Sequence, residues 1–356
     1  MNKILMIIMA VGAAAGGIDR ILGNKHGYGA KFEEGFQLLG NTALSMTGMI
    51  CLVPVLADIM GKMIVPFYRV IGVDPGMFGS LLAIDMGGYQ LAKALADDSL
   101  IGSYAGIVAA SIFGCTVVFT IPVGMEMIRE EDRGCFAQGI MTGLITIPVG
   151  LLTGGLLAGI PAPDCIRQNL PVFVLALFLL IGLWKIPARM VRGFCIFAKG
   201  IRCVITVGLV LGVVEYLCGW KVLHGMTPIM EAMEVVAAIG IVMLGSLPAV
   251  EFFKRLLQKP FRKLGGLVGM NSAGMTGLLV GAVSAIPAVS MYKDMDERGK
   301  KVNAAFLVSA ASMLSAHMGF TLSTEPELLG ALIGAKMSGG AAAVLLALFL
   351  CGKNKG

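Results

Sequence analysis

Charge is scarce in this chain. Asp, Glu, Lys and Arg together make up 14% of its 356 residues, against about 25% in an ordinary soluble domain, so there is too little polar surface to cover a globule in water. Histidine occurs three times and tryptophan twice, and the eight cysteines, at 51, 115, 135, 165, 195, 203, 218 and 351, include no CxxC pair. That pattern argues against metal and disulfide chemistry. An enzyme needs a nucleophile and a base, or a metal cluster, within reach of one another. One histidine in an apolar segment and unpaired cysteines do not supply them, so the chain reads as a non-enzyme with no cofactor and no metal site. Also missing are a soluble domain, a low-complexity linker and a small-residue cleavage site after the apolar N-terminus, so residues 1–22 read as a first span and not as a removable signal.

What is present is apolar. Hydrophobic residues make up 57% of the chain and the mean hydropathy is +0.85, which places it among all-α, polytopic integral membrane proteins. The net charge of +6 follows from Lys and Arg on cytoplasmic loops and requires no nucleic-acid partner; the partner is the lipid bilayer. With about 20 residues needed per crossing, ten apolar segments follow the first, near 35–59, 77–95, 101–123, 136–160, 170–186, 200–217, 235–253, 267–291, 304–322 and 328–350.

The stretch 74–98 departs from a plain lipid-facing helix. Its centre holds an ionisable residue, Asp85, followed by Gly87 and Gly88. A carboxylate at bilayer depth costs about 3 kcal/mol even on the lenient insertion scale, and adjacent glycines weaken a helix, so such a place usually lines a substrate or ion path.

The chain also reads as duplicated. Glu34 and Gly48 match Glu231 and Gly245 at an offset of 197, and Pro66-Phe67 match Pro260-Phe261 at 194. Ala109-Ala110-Ser111 and Phe119-Thr120 match Ala310-Ala311-Ser312 and Phe320-Thr321 at 201. The resulting division is a first transmembrane repeat at 1–165, a linking span at 166–198 and a second repeat at 199–356. Under it, Asp85-Met-Gly-Gly88 falls near Ser284-Ala-Ile-Pro287, so each repeat has a broken apolar segment.

The distribution of Lys and Arg bears on whether those two segments cross. If all eleven segments cross, the two sides carry 15 and 12 basic residues, with the intramembrane Lys336 left out. If the broken segments are re-entrant hairpins, nine cross and the split is 21 against 6. The second topology obeys the positive-inside rule, makes the two repeats inverted, and puts the N-terminus outside and the C-terminus in the cytoplasm. The expected architecture thus has 9–11 membrane segments in two inverted repeats, each with a hairpin.

Hairpin tips at Asp85–Gly88 and 284–287 would offer bare carbonyls, since Pro287 has no N–H and Gly87-Gly88 leave the backbone uncovered. Carbonyl ends of helices beside Asp85 prefer a cation, with Tyr89 and Phe36 as candidate cation–π faces. Asp85 reads equally as a cap on the following helix, Glu33 and Glu34 as acids at a helix start, and His317 as a packing histidine. Gln90, Thr116 and Ser111 read as helix glue or as solute contacts.

Phe32-Glu-Glu-Gly-Phe36, Ile84-Asp-Met-Gly-Gly88 followed by Leu91-Ala-Lys93, Val118-Phe-Thr-Ile-Pro122, Met291-Tyr-Lys-Asp-Met-Asp296 and His317-Met-Gly-Phe320 resemble the ethanolamine-utilisation permease family of bacteria, over nearly the whole chain. The chain departs from that pattern at Ser284-Ala285, where amides are expected, and at Ala316, where an acid is. The resemblance implies a multi-pass carrier in the bacterial inner membrane that imports ethanolamine for the enzymes that degrade it. Ethanolamine, a small ammonium with a hydroxyl, suits one carboxylate and a few acceptors. Asp85 is expected to pair the ammonium and backbone at Gly87, Gly88 and Ser284 to accept. Tyr89, Gln90, Glu34, Thr116, Pro287 and His317 complete the candidate site. Alternating access, coupling to protons or sodium and a homo-oligomer are the matching expectations. A cation-coupled carrier for another small polar solute, nucleoside-like, shares the same plan.

Overall fold

The computed structural model describes residues 2–81 and 88–353, and the side chains of all of these except 2–5, 257–267 and 353. Of the described residues 87% are helical, and none is in a strand. A bilayer imposes this, because a backbone with no water at hand must satisfy its own N–H and C=O groups. In chain order come α1 (Asn2–Ile21), α2 (Tyr28–Val70), a 3-10 segment (Pro75–Leu81), α3 (Gly88–Leu95), α4 (Ser99–Tyr104), two π-helical segments (Ala105–Gly114 and Thr116–Thr120) and α5 (Ile121–Met127). They are followed by α6 (Arg133–Leu157), α7 (Ala162–Lys185), α8 (Pro187–Cys218), α9 (Ile229–Val268), α10 (Ser272–Val283) and α11 (Ala285–Ser290). The chain closes with α12 (Glu297–Ala310), α13 (Ala316–Thr324) and α14 (Leu329–Lys353). Seven helices among the described residues are long and apolar enough to cross a membrane, and the protein is a multi-pass membrane protein.

Two helices are far longer than a crossing. α2 has 43 residues and α9 has 40; at 1.5 Å per residue they run to about 65 and 60 Å, twice the hydrocarbon core of about 30 Å. They carry the matched residues Glu34, Gly48 and Pro66 in one and Glu231, Gly245 and Pro260 in the other. Where the sequence suggests spans of ordinary length at 35–59 and 235–253, the helices continue, straight through Pro54 and Pro66 in α2.

Other segments are more broken than their apolar runs suggest. Within the run 77–95 the described residues belong to the 3-10 segment and α3, which lie alongside each other: a Cβ on Gly79 would come within 2.6 Å of Ala92 Cα. The run 267–291 is interrupted at Ser284, whose backbone is extended (φ −154°, ψ 133°) between α10 and α11. The break therefore falls three residues before Pro287, which sits in the first turn of α11, where proline is tolerated. The run 304–322, expected as one span, stops at Ala310 and resumes at Ala316, with Ser312 between them in the left-handed region at φ 55°.

The chain forms two compact units, each drawing on both halves of the sequence. The first comprises residues 1–110, 199–253 and 314–329; the second comprises 111–198, 254–313 and 330–356. In the first, glycines bring helices to backbone contact: a Cβ on Gly48 of α2 would collide with Ile205 O of α8, and one on Gly245 of α9 with Met9 O of α1. These two glycines, 197 residues apart, thus each serve a helix crossing. The α1–α2 joint is held by Asp19, whose carboxylate accepts the backbone N–H groups of His26, Tyr28 and Gly29 at 2.9, 2.8 and 3.0 Å. It caps α2 from the preceding helix, since Gly27 has no side chain to do so. In the second unit, Met270, Met275, Leu278, Val302, Ala305, Ala343 and Ala347 form an apolar core joining α10, α12 and α14.

Candidate functional site

The stretch around Asp85 is closed at its two ends. Asp74, buried, accepts the backbone N–H of Gly76 at 2.7 Å and that of Asp98 at 2.8 Å. Asp98 in turn caps α4 by accepting from Leu100 and Ile101. Outside this closure Arg69 holds Asp97 through two hydrogen bonds, and the guanidinium keeps the Asp97 carboxyl below its ordinary range. The residue that ends the stretch thus lies beside the one that begins it.

The second broken stretch closes in the same way. The backbone N–H of Asn271 donates to the Asp296 carboxylate at 3.0 Å, its side-chain amide donates to Asp294 O at 2.9 Å, and its side-chain oxygen accepts from Gly274 N at 2.8 Å. Asp296 is the residue before α12, as Asp98 is before α4. The two closures span 24 and 25 residues, and Asn271 lies 197 after Asp74, the same offset that relates Gly48 to Gly245.

In the first unit, polar side chains converge on Glu325, in the joint between α13 and α14. Tyr89 Oη and Ser103 Oγ each donate to Glu325 Oε1 at 2.7 Å, and Lys93 Nζ does so at 3.2 Å. Lys93 also reaches Ser99 Oγ and Ser103 Oγ at 2.8 and 2.9 Å. Tyr89 and Lys93 share a face of α3, and Ser99 and Ser103 a face of α4, by their spacing of four. Tyr89 can lie close because Gly106 carries no side chain: a Cβ there would meet Tyr89 Cα at 2.6 Å. Its ring packs edge-on against Phe320, with centroids 5.4 Å apart. Burial on its own would raise the Glu325 carboxyl, but the bonds from Glu327, Ser103, Tyr89 and Lys93 outweigh it and hold the group below the usual carboxylate range.

Of the residues singled out in the sequence, Asp85 and Gly87 lie outside the described residues. Gly88 and Tyr89 are buried at the start of α3 and Gln90 is half-buried beside them. Tyr89 is committed to Glu325 and Phe320, while Phe36 is 65% exposed on α2. Glu34 is paired with Lys31, and its neighbour Glu33 with Arg20. His317 is buried in the first turn of α13, and its carbonyl accepts from Thr321 Oγ1 at 2.8 Å. Thr116, Ser284 and Pro287 belong to the second unit. There the buried Thr116 hydroxyl is within donating distance of Ile112 O at 2.7 Å and Val308 O at 2.9 Å, Ser284 caps α10, and Pro287 is exposed. Of these, Tyr89 is drawn into the polar cluster around Glu325.

Of the cluster's other members, Glu325 and Ser103 were not singled out, and Lys93 entered only in the motif Leu91-Ala-Lys93. Glu325 precedes a proline in a short joint and looks like loop, and Ser103 looks like helix glue. A signal for Lys93 was its place four residues after Tyr89. Among the described residues, no group of three or more His, Cys, Asp or Glu is placed to hold a metal ion.

A family model described as "Ethanolamine utilisation protein, EutH" matches residues 1–350. The chain belongs to the EutH family. A protein of Listeria monocytogenes named "Probable ethanolamine permease EutH" is 42% identical over 99% of this chain and 95% of its own length. One of Escherichia coli with the same name is 37% identical over 99% of this chain and 96% of its own length. A third relative, the "Uncharacterized protein YxeR" of Bacillus subtilis, is 36% identical over 98% of this chain and 95% of its own length. No solved structure matches.

Proposed function

We propose that the chain is a secondary-type permease that moves ethanolamine into the cell by alternating access across the bacterial inner membrane. The observation that carries this reading is the end-to-end similarity to relatives named as ethanolamine permeases. It is supported by the two closed stretches at matching positions, the second of which is interrupted at Ser284; paired stretches of this kind are the parts a hairpin carrier uses as gates.

On this reading the repeats are 1–165 and 199–356, inverted across the bilayer, and the stretches 74–98 and 271–296 are re-entrant. The N-terminus faces outward and the C-terminus the cytoplasm. The ammonium of the substrate pairs with Asp85, and backbone at Gly87 and Gly88 supplies acceptors. Gln90, Glu34 and His317 are secondary candidates. Tyr89 acts through its bond to Glu325, by fixing where α3 begins, rather than through its ring face. The cation that drives transport is a proton or sodium, and the working form is a homo-oligomer.

The test is uptake of labelled ethanolamine by proteoliposomes holding the purified protein. Saturable uptake, displaced by unlabelled ethanolamine and not by nucleosides, is expected. Folded protein that shows no uptake, or displacement by nucleosides, contradicts the proposal.

A further inference from the structure

Lys336 stands in the middle of α14 with none of its surface exposed. Its Nζ donates to three backbone carbonyls, Ser111 O at 2.8 Å, Ala311 O at 3.1 Å and Ser309 O at 3.2 Å. A lysine ammonium has three donors and no acceptor, so these bonds match its capacity.

The carbonyls are available for a specific reason. Ser309 is in the last turn of α12 and Ala311 is the residue after it, where the helix stops and Ser312 turns to φ 55°. The final carbonyls of a helix have no partner within it, and in a bilayer none can be handed to water. The neighbouring groups are provided for separately: Val308 O accepts from Thr116 and Ser312 N donates to Gly281 O at 3.0 Å. Ser111 O comes from the π-helical run Ala105–Gly114, a winding often found at functional sites. Ser111 and Ala311 also belong to the matched runs Ala109-Ala110-Ser111 and Ala310-Ala311-Ser312, so the corresponding segments of the two repeats meet at one ammonium. Ser309 Oγ, buried and without a partner among the described residues, is a further oxygen on the same turn.

We propose that the break between α12 and α13 is a cation cage of primary-ammonium chemistry, with Lys336 as its tethered, resident ion. Carriers with broken helices commonly lodge an inorganic coupling ion among such freed carbonyls; here the chain supplies the cation itself. The N···O distances of 2.8–3.2 Å are hydrogen-bond lengths, longer than the 2.0–2.6 Å of magnesium or calcium coordination. The carbonyl end of α12 adds a dipole that favours positive charge. One consequence rests on the permease reading: no sodium ion is taken up at this break during transport. The cage itself does not depend on that reading.

The test uses stability, so that it is independent of transport. Lys336→Ala deletes the equivalent of n-propylammonium and leaves the carbonyls in place. The purified variant should unfold at a lower temperature than wild type and regain most of the loss, saturably, in n-propylammonium chloride. Sodium or potassium chloride at equal ionic strength should not restore it. Lys336→Met, which refills the space without charge, should stay unstable with or without the amine. If the alanine variant folds only when the amine is present from solubilisation onward, the assignment stands; if it folds in neither condition, the assignment fails. Rescue by sodium in place of the amine, a methionine variant as stable as wild type, or an equal gain for wild type in the amine would each overturn it. In wild type, Lys336 should resist an amine-acylating reagent until the protein is unfolded, read by peptide mass spectrometry. Rapid acylation of the native protein would count against a resident ion.

Discussion

The Asp74 carboxylate accepts the backbone N–H of Asp98 at 2.8 Å, joining the beginning and the end of the stretch that contains Asp85. The Asn271 N–H to Asp296 bond at 3.0 Å does the same for the second stretch, with donor and acceptor exchanged. Each closure brings the two ends of its stretch to one place.

Asp74→Ala removes the acceptor of two backbone amides in a buried place. The expected cost is about 1–3 kcal/mol, seen as a lower unfolding temperature in detergent and faster amide hydrogen exchange in residues 75–98. Asp296→Ala should act in the same direction on 271–296, with a smaller loss because Asp296 is only half-buried. Unchanged exchange in both stretches would show that the closures do not hold them.

Glu325→Ala leaves Tyr89 Oη, Ser103 Oγ and Lys93 Nζ without their common acceptor. Hydrogen bonds to a charged group in a half-buried setting suggest a loss of about 2 kcal/mol. Glu325→Gln keeps an acceptor and should lose less. Since the three donors lie on α3 and α4, uptake should fall in Glu325→Ala more than the stability loss accounts for, through displacement of α3. Normal uptake with an intact fold would assign the cluster a purely structural role.

Gly48→Ala places a methyl group against Ile205 O and Leu209 N of α8. Backbone atoms cannot step aside as a side chain can, so overpacking of about 1–3 kcal/mol is expected. Gly193→Ala, on α8 with open space at its Cβ, is the control and should not lower the thermal midpoint, since alanine favours a helix over glycine. Equal midpoints for Gly48→Ala and wild type would contradict the close crossing of α2 and α8.

The Arg69–Asp97 pair sets a pH dependence. The Arg69 hydrogen bonds lower the folded-state pKa of Asp97, so its contribution is complete above the unfolded carboxylate pKa and disappears as pH falls through the folded value. Both side chains are largely exposed, and exposed pairs contribute little. Asp97→Asn should lower the thermal midpoint at pH 7 by roughly 1 °C, with the gap closing towards pH 3 and narrowing in high salt. A gap that widens on acidification would reverse the assigned sign.

The class of fold was legible because low charge and long apolar runs leave a bilayer as the only solvent. The breaks were harder to read. Pro287 stands three residues after one of them, at Ser284, but the interruption after Ala310 is built from Ala and Ser and is stabilised by Lys336, which is remote in sequence, so local composition held no trace of it. The closures were likewise carried by single side chains, Asp74 and Asp296, that look like ordinary loop acids. Glu325 was missed because its role is to receive donors from residues more than 200 positions away. The lone charge inside the last apolar run, Lys336, was the clearest unused signal. Asp19 was another, a buried acid whose partners lie in the following joint.

The most direct measurement is uptake of labelled ethanolamine into proteoliposomes by wild type beside Asp85→Asn, at matched and verified amounts of folded protein, with and without imposed proton and sodium gradients. The account predicts saturable uptake by wild type and its loss, or a large rise in KM, in the variant. Uptake by Asp85→Asn with unchanged KM and rate would contradict it, and would remove Asp85 from the substrate site.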